Sequence, residues 1–257
     1  MTYLIICSVA LFASGLTFFS GFGLGTLLLP VFALFFPMES AVALTAVVHF
    51  LNGLFKITLV GRRADRGIIV RFGLPAIAAA IAGAWVLVRL SQMKPLLTYS
   101  AFGRDVQVMP VKLVVALVLL FFVLVELLPR YRNLSIGPRY MSVGGVLSGF
   151  FGGLSGMQGA LRSAFLARSG LSKEVFVATG VVVACLIDVT RLGMYTRTLR
   201  SEHAHIDYRL LGAAVVSAFL GAMLGNRYLK HLTMRAIQRI VGIMLFLVAL
   251  GLGSGLI

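Results

Sequence analysis

The sequence predicts an all-α membrane protein with several transmembrane helices. Hydrophobic residues make up 60% of the 257 positions, charged residues only 12%, and the mean hydropathy is +1.01. A typical soluble domain is about half apolar and a quarter charged. The apolar runs are separated by short basic loops, and they lack the alternation of outer-membrane β-strands. These observations exclude a soluble protein and favour a bundle of membrane helices.

The first half of the chain contains one interrupted apolar segment followed by three spans. Residues 3–36 are apolar, but glycines at 21, 23 and 25 interrupt them. As one helix the segment would measure about 50 Å, well beyond a hydrocarbon core of roughly 30 Å. We therefore predict a pair of short helices, which either dips into the bilayer or crosses it twice. The first repeat covers residues 1–128, and its spans lie at 39–60, 67–90 and 111–128.

The second half has the same order of elements. Residues 129–139 are basic, contain two prolines and form the predicted linker. The second repeat, 140–257, begins with another glycine-interrupted pair at 140–168. Three spans follow it, at 173–194, 206–228 and 235–257.

Matching residues indicate that the two halves arose by internal duplication. Paired polar residues and glycines recur at a fixed offset of 135 residues: Ser20 and Ser155, Gly21 and Gly156, Glu39 and Glu174, and Lys56 and Arg191. Each repeat has an odd number of crossings whether its pair dips or crosses. The two repeats are therefore predicted to be inverted relative to each other, as in many secondary transporters.

The distribution of charge predicts the orientation of the chain. The basic loops at 61–66, 129–139, 168–173 and 227–235 fall inside if the N-terminus lies outside. Both termini are then predicted outside. The net charge of +15 reflects this positive-inside pattern, so we do not interpret it as a nucleic-acid interface.

Two further features bear on the class of protein. Cys7 and Cys185 both fall in apolar helices, which gives no support to a disulfide framework. The N-terminus has no basic region before its apolar run, so we predict a first membrane helix and no cleaved signal peptide.

Residues 148–168 contain the strongest candidate site. Their glycines, at 149, 152, 153, 156 and 159, indicate a helix break or a close backbone approach. A break inside a bilayer is tolerated where it is buried in protein or lines a cavity. The N–H groups that begin the next half-helix favour an anion. Arg162 lies about one turn into that half-helix and is the first candidate anion ligand. The alternatives are that Arg162 reaches the membrane interface or pairs with Asp188.

Polar residues and glycines at both breaks complete this predicted anion site. The side chains of Ser20, Ser155 and Gln158 flank the breaks and are candidate hydrogen-bond donors to an oxyanion. The alternative is that the serines are present for their small size. The candidate backbone positions are Gly21, Gly23 and Gly156.

A polar stripe runs along the first full span. Thr45, His49, Asn52 and Lys56 are spaced i, i+4, i+7 and i+11, which places them on one helix face. Such a stripe faces the protein interior or water, so we predict that it binds the solute. The alternative is contact between helices, with Lys56 at the cytoplasmic interface. His49 is also a candidate carrier of a coupling proton, because the pKa of histidine is close to neutral.

The matching span of the second half carries Asp188 and Arg191, which are spaced i and i+3 and can pair. Arg191 is the repeat partner of Lys56, so the two cations are candidates to line the solute pathway on opposite sides of a shared axis. The alternative is a structural ion pair near a helix end. Asp188 is the second candidate proton carrier, because few carboxylates lie within a span.

Several segments resemble the TauE/SafE sulfite exporter family: the glycines at 21–25 followed by Pro30, the run Ala-Val-Ala-Leu-Thr at 41–45, and the second-half segments GGLSGMQGALRSAF and ATGVVVACLIDVTRL. The resemblance covers essentially the whole chain. It implies a transporter of small anions, with sulfite, sulfonates and related organosulfur compounds as the usual solutes, in the bacterial inner membrane. Ala164 stands where the counterpart of Pro30 would fall, and Arg162 is an unusual charge there, which leaves the solute open.

We therefore predict a secondary transporter that works by alternating access around an anion site near the bilayer midplane. An uncoupled anion channel is the alternative. An intramembrane enzyme is disfavoured, because the sequence lacks HExxH spacing and the context of a nucleophile elbow. A membrane partner without transport activity is a further, less favoured alternative. The expected partners are a small anionic solute and membrane lipid, without nucleic acid, metal or cofactor. A homodimer is left open.

Overall fold

Helices form most of the chain in the computed structural model, which describes residues 1–16, 24–101, 104–127, 136–167, 169–200, 207–228 and 234–256. The helices of the first half are α1 Thr2–Leu16, α2 Leu24–Ala33, α3 Met38–Val60, α4 Arg66–Ser91 and α5 Pro110–Leu127. Those of the second half are α6 Met141–Ser155, α7 Gly159–Leu166, α8 Lys173–Arg200, α9 Tyr208–Tyr228 and α10 Met234–Ser254. Helix α4 includes a π-helical turn at Ile69–Gly73, which ends two residues before Pro75.

The lengths of the helices confirm the predicted class, an all-α polytopic membrane protein. Four helices in the described ranges are long and apolar enough to cross a membrane: Met38–Arg63, Arg66–Ser91, Lys173–Thr196 and Tyr208–Gly225. Shorter apolar helices, Pro110–Leu124 and Leu245–Ser254, lie where two more spans are predicted.

Two features differ from the elements predicted for these segments. Helix α8 continues to Arg200, six residues past the predicted end of that span. The polar connection before α5 contains an antiparallel hairpin, β1 Leu97–Ala101 and β2 Arg104–Val108. The hydroxyl of Tyr99 in β1 donates to the carbonyl of Ser254 at 2.6 Å, so the hairpin lies against the end of α10.

The glycine-interrupted pairs are helical hairpins. Helix α7 has eight residues and a length of about 12 Å, far short of the hydrocarbon core, and it packs back against α6. Helix α2 packs against α1. In a continuous rod the nearest residues of these two helices would be about 12 Å apart, so α1 and α2 also fold back on each other.

Several contacts between two helices have a counterpart between the corresponding helices of the other half. Helix α1 packs on α9 as α6 packs on α4, and α2 packs on α3 as α7 packs on α8. Helices α3 and α8 contact each other, and so do α5 and α10, each with its own counterpart. This is the pattern that duplication predicts. The inversion of the second repeat relative to the first stays a prediction.

Glycines bring the backbones of α6 and α4 into direct contact. A Cβ atom built on each of three α6 glycines would lie within 2.2 Å of a carbonyl oxygen of α4: Gly145 on Phe72, Gly149 on Ala76, and Gly153 on Ala80. Small residues at such positions allow helices to approach closely. Gly149 and Gly153 therefore serve packing, and α6 runs through both without a break.

Substituting Gly149 with alanine tests this contact. The added methyl group would lie 2.1 Å from the Ala76 carbonyl oxygen, so we expect a loss of about 1–3 kcal/mol from overpacking. Thermal denaturation in detergent, followed by size-exclusion chromatography, measures the loss. The matched control is Gly212→Ala in α9, where a Cβ meets nothing within 4 Å. That variant is expected to be as stable as the parent or slightly more stable. A Gly149→Ala protein that melts with the parent would contradict the close approach.

Candidate functional site

The break between α6 and α7 is built by one left-handed glycine. Gly156 ends α6 with φ +79°, and its N–H donates to the Gly152 carbonyl at 2.9 Å. Glycine adopts this conformation without the steric cost that other residues incur. The hydroxyl of Ser148 donates to the carbonyl of Gln158 at 2.9 Å, which ties the start of α7 to α6. The break therefore occurs inside the glycine cluster of the sequence, at Gly156.

Asp188 on α8 is the centre of a buried polar cluster. One carboxylate oxygen, Oδ2, lies 2.5 Å from His49 Nδ1 on α3. The other, Oδ1, accepts from Gln158 Nε2 and from Arg191 Nε, both at 3.0 Å, and Arg191 Nη2 lies 2.9 Å away. The side chains of Asp188 and Arg191 are fully buried. The i, i+3 pairing that their spacing allows is thus present, and it extends to a histidine of the other half.

Arg162 joins this cluster through Gln158. Its Nη1 donates to Gln158 Oε1 at 3.2 Å, while the amide nitrogen of the same glutamine donates to Asp188. Arg162 is 3% exposed, so its guanidinium is enclosed by protein. Because both ends of the Gln158 amide are engaged, Gln158 positions Arg162 relative to Asp188.

A second polar cluster surrounds Lys56 in the first half. Oriented to satisfy its neighbours, the Asn52 amide accepts from Lys56 Nζ at 3.3 Å and donates to the Ala218 carbonyl of α9 at 3.2 Å. Ser14 of α1 lies 3.1 Å from the same amide. Asn52 and Lys56 are both buried, at 2% and 8% exposure. The polar stripe of α3 therefore faces the protein interior.

The charges buried in the described part of the chain are predominantly positive. Lys56, Arg162 and Arg191 are buried cations, and Asp188 is the one buried carboxylate among the described residues. A buried charge is costly unless it is paired or hydrogen-bonded. Among the described residues, the buried charges are therefore three cations and one carboxylate.

The two hairpins meet at this cluster. A Cβ built on Gly25, in the first turn of α2, would lie 3.3 Å from the Gly156 carbonyl oxygen and 3.6 Å from His49 Cδ2. A Cβ on Gly156 would lie 2.7 Å from Arg191 Nη1. The start of α2, the end of α6 and the polar side chains of α3 and α8 therefore converge on one place.

Three other predicted residues lie outside the described residues, and the hydroxyl groups of two more differ in their bonding. Ser20, Gly21 and Gly23 belong to the undescribed segment 17–23. Ser155 is buried, but its hydroxyl donates to the Phe151 carbonyl of its own helix at 3.0 Å. Thr45 is 1% exposed, and its hydroxyl has no hydrogen-bond partner among the described residues.

Sequence reasoning missed three polar residues that support the two clusters. Ser14 bonds Asn52 in the cluster around Lys56, and Ser148 bonds Gln158 in the cluster around Asp188; the two serines are separated by 134 residues, close to the repeat offset. This separation could have identified the two serines as counterparts in the two repeats. The buried hydroxyl of Tyr195 donates to the Gly153 carbonyl. Tyr195 lies four residues after Arg191, and this spacing predicts that both side chains lie on the same face of α8.

Comparison with known proteins gives a family for nearly the whole chain. The family model described as sulfite exporter TauE/SafE matches residues 6–252. Searches of curated proteins and of solved structures found no match.

Proposed function

The chain belongs to the sulfite exporter TauE/SafE family, and from this premise we propose that it is a secondary transporter of sulfite, a sulfonate or a related small organosulfur anion. The anion binds at the buried cluster around Arg162 and is exposed to the two sides of the membrane in turn. The membrane is the bacterial inner membrane, with both termini outside.

The excess of buried positive charge supports this proposal most directly. Three cations and one carboxylate are buried among the described residues, where a buried charge is expensive. Asp188 is already hydrogen-bonded to Arg191, Gln158 and His49, so its negative charge is shared among several donors. A set of buried groups that is predominantly positive suits a negatively charged solute.

Two helix starts add to the attraction for an anion. Helix α2 begins at Leu24 and helix α7 at Gly159, and Arg162 lies in the first turn of α7. The first N–H groups of a helix have no partner within the helix, and its dipole places partial positive charge there. Inside a membrane protein, such half-helix starts are suited to anionic groups of a solute.

The contact between the hairpins supports alternating access over an open channel. The first turn of α2 lies close to the Gly156 carbonyl at the cluster, which supports a site that is closed between the hairpins in this conformation. Release to either side then requires the hairpins to separate. An uncoupled channel remains the alternative function, and proton coupling through His49 or Asp188 stays a prediction.

Uptake into proteoliposomes tests the proposal. We expect saturable uptake of labelled sulfite, sulfoacetate or sulfate at a fixed membrane potential, because a carrier offers a limited number of binding sites. Unlabelled solute inside the vesicles is expected to accelerate the entry of labelled solute. This acceleration is the property of a carrier, whereas a channel shows none.

Two results would overturn parts of the proposal. Reconstituted protein that elutes as a single folded species and carries none of the three anions would contradict anion transport. Uptake that does not saturate, and that unlabelled solute inside the vesicles does not accelerate, would show that the protein is a channel and not a carrier. Protein-free vesicles provide the baseline for both measurements.

A further inference from the structure

The hydroxyl of Thr45 is a buried polar group that makes no hydrogen bond in the described part of the chain. Thr45 is 1% exposed, and its Oγ1 atom has no hydrogen-bond partner among the described residues. Leaving a buried hydroxyl group without a hydrogen bond is costly, because it loses its bonds to water. Buried polar side chains are nearly always bonded, so this exception requires an explanation.

Other hydroxyls within the helices show what Thr45 does not do. The hydroxyl of Thr190 donates to the carbonyl four residues earlier in α8 at 2.7 Å. Ser155 and Ser91 make the same bond within their own helices, at 3.0 Å and 2.9 Å. This back-bonding is the ordinary way for a hydroxyl in a helix to be satisfied. The Thr45 hydroxyl does not make this bond to its own helix.

The Thr45 side chain lies at the contact between α2 and α3. Its Cγ2 atom lies 3.9 Å from a Cβ built on Gly25, so the side chain lies beside the first turn of α2. His49, one turn further along α3, touches the same point. Thr45 therefore lies where the two hairpins meet, next to the start of a ten-residue helix.

The buried guanidinium of Arg191 lies at the same place. Arg191 is fully buried, and its Nη2 atom lies 2.9 Å from Asp188 Oδ1 in the ion pair. The neighbouring Nη1 atom faces Gly156. A buried cation and the Thr45 hydroxyl group thus both belong to side chains at the contact between Gly25 and Gly156.

We propose that the Thr45 hydroxyl is a direct ligand of the transported anion and donates a hydrogen bond to one of its oxygens. The proposal rests on the function proposed above and names a part of the site that this function uses. The start of α2 and the Thr45 hydroxyl then bind one oxygen of a sulfite or sulfonate group, while the cations of the cluster balance its charge.

Two substitutions at Thr45 separate a ligand role from a packing role. Thr45→Val keeps the shape of the side chain and removes the hydroxyl, so we expect the KM for sulfite to rise about tenfold or more, as for loss of a hydrogen bond to a charged group. The maximal rate is expected to change less. Thr45→Ser keeps the hydroxyl and is expected to retain a KM within about threefold of the parent. Initial rates of proteoliposome uptake over a range of sulfite concentrations give both constants.

Thr190→Val is the matched control, because that hydroxyl is already bonded to its own helix and its loss should leave the KM unchanged. An unchanged KM in Thr45→Val, in a protein whose parent transports sulfite, would overturn this inference and leave anion transport intact. An equal rise in Thr45→Ser and Thr45→Val would also overturn it. Absence of transport in the parent would instead contradict the function proposed above.

Discussion

Replacing Arg162 with alanine is expected to lower the rate of sulfite uptake by about tenfold to a hundredfold. The guanidinium is buried in the first turn of α7 and is held by Gln158 next to the Asp188 cluster. Hydrogen bonds to charged groups contribute about 1.5–3 kcal/mol, and each 1.4 kcal/mol is a factor of ten. Arg162→Lys keeps the charge but loses the planar donor array, so an intermediate rate is expected. Initial uptake rates in proteoliposomes, normalised to reconstituted protein, measure the effect.

The control for Arg162 is Arg71→Ala, which removes the same charge from an exposed position on α4. Its uptake rate is expected to equal that of the parent. A melting temperature for each variant in detergent separates loss of transport from loss of fold. Uptake by folded Arg162→Ala at the parental rate would remove this residue from the anion site.

Replacing Asp188 with asparagine is expected to destabilise the protein by about 3–5 kcal/mol, the usual result of removing one partner of a buried ion pair. Arg191 would then remain fully buried without its counter-charge, and His49 would lose the same partner. Unfolding in mixed micelles with increasing denaturing detergent gives the change in free energy.

A double substitution tests whether the loss comes from the stranded charge. Asp188→Leu combined with Arg191→Met removes both charges, and it is expected to recover much of the stability that Asp188→Asn loses, because well-packed apolar residues often replace a buried pair without cost. A double variant less stable than Asp188→Asn would show that the cluster is stabilised by bonds other than this ion pair.

The sequence was sufficient where fixed helix geometry decides the outcome. The spacing of Thr45, Asn52 and Lys56 placed them on one face of α3, and all three side chains are buried. The i, i+3 spacing of Asp188 and Arg191 likewise allowed the ion pair that is present. Periodicity within one helix requires no knowledge of how helices pack.

The sequence was not sufficient where contacts join different helices or where glycine has two uses. Nothing in the spacing indicates that Gln158 connects Arg162 to Asp188, since that link depends on how α7 lies against α8. Gly149 and Gly156 are both glycines in one apolar run, yet the first allows close packing and the second ends the helix. Only the backbone conformation and the neighbouring helix distinguish them.

The paired packing of α1 on α9 and of α4 on α6 has a consequence for how this architecture arose. In each pair, one helix comes from the first half of the gene and the other from the second half. Neither half encloses its own interior, so a fragment expressed alone would leave its glycine-lined surface uncovered. A single-repeat ancestor built this way would have been an obligate, intertwined dimer, and gene fusion would have made that partnership permanent.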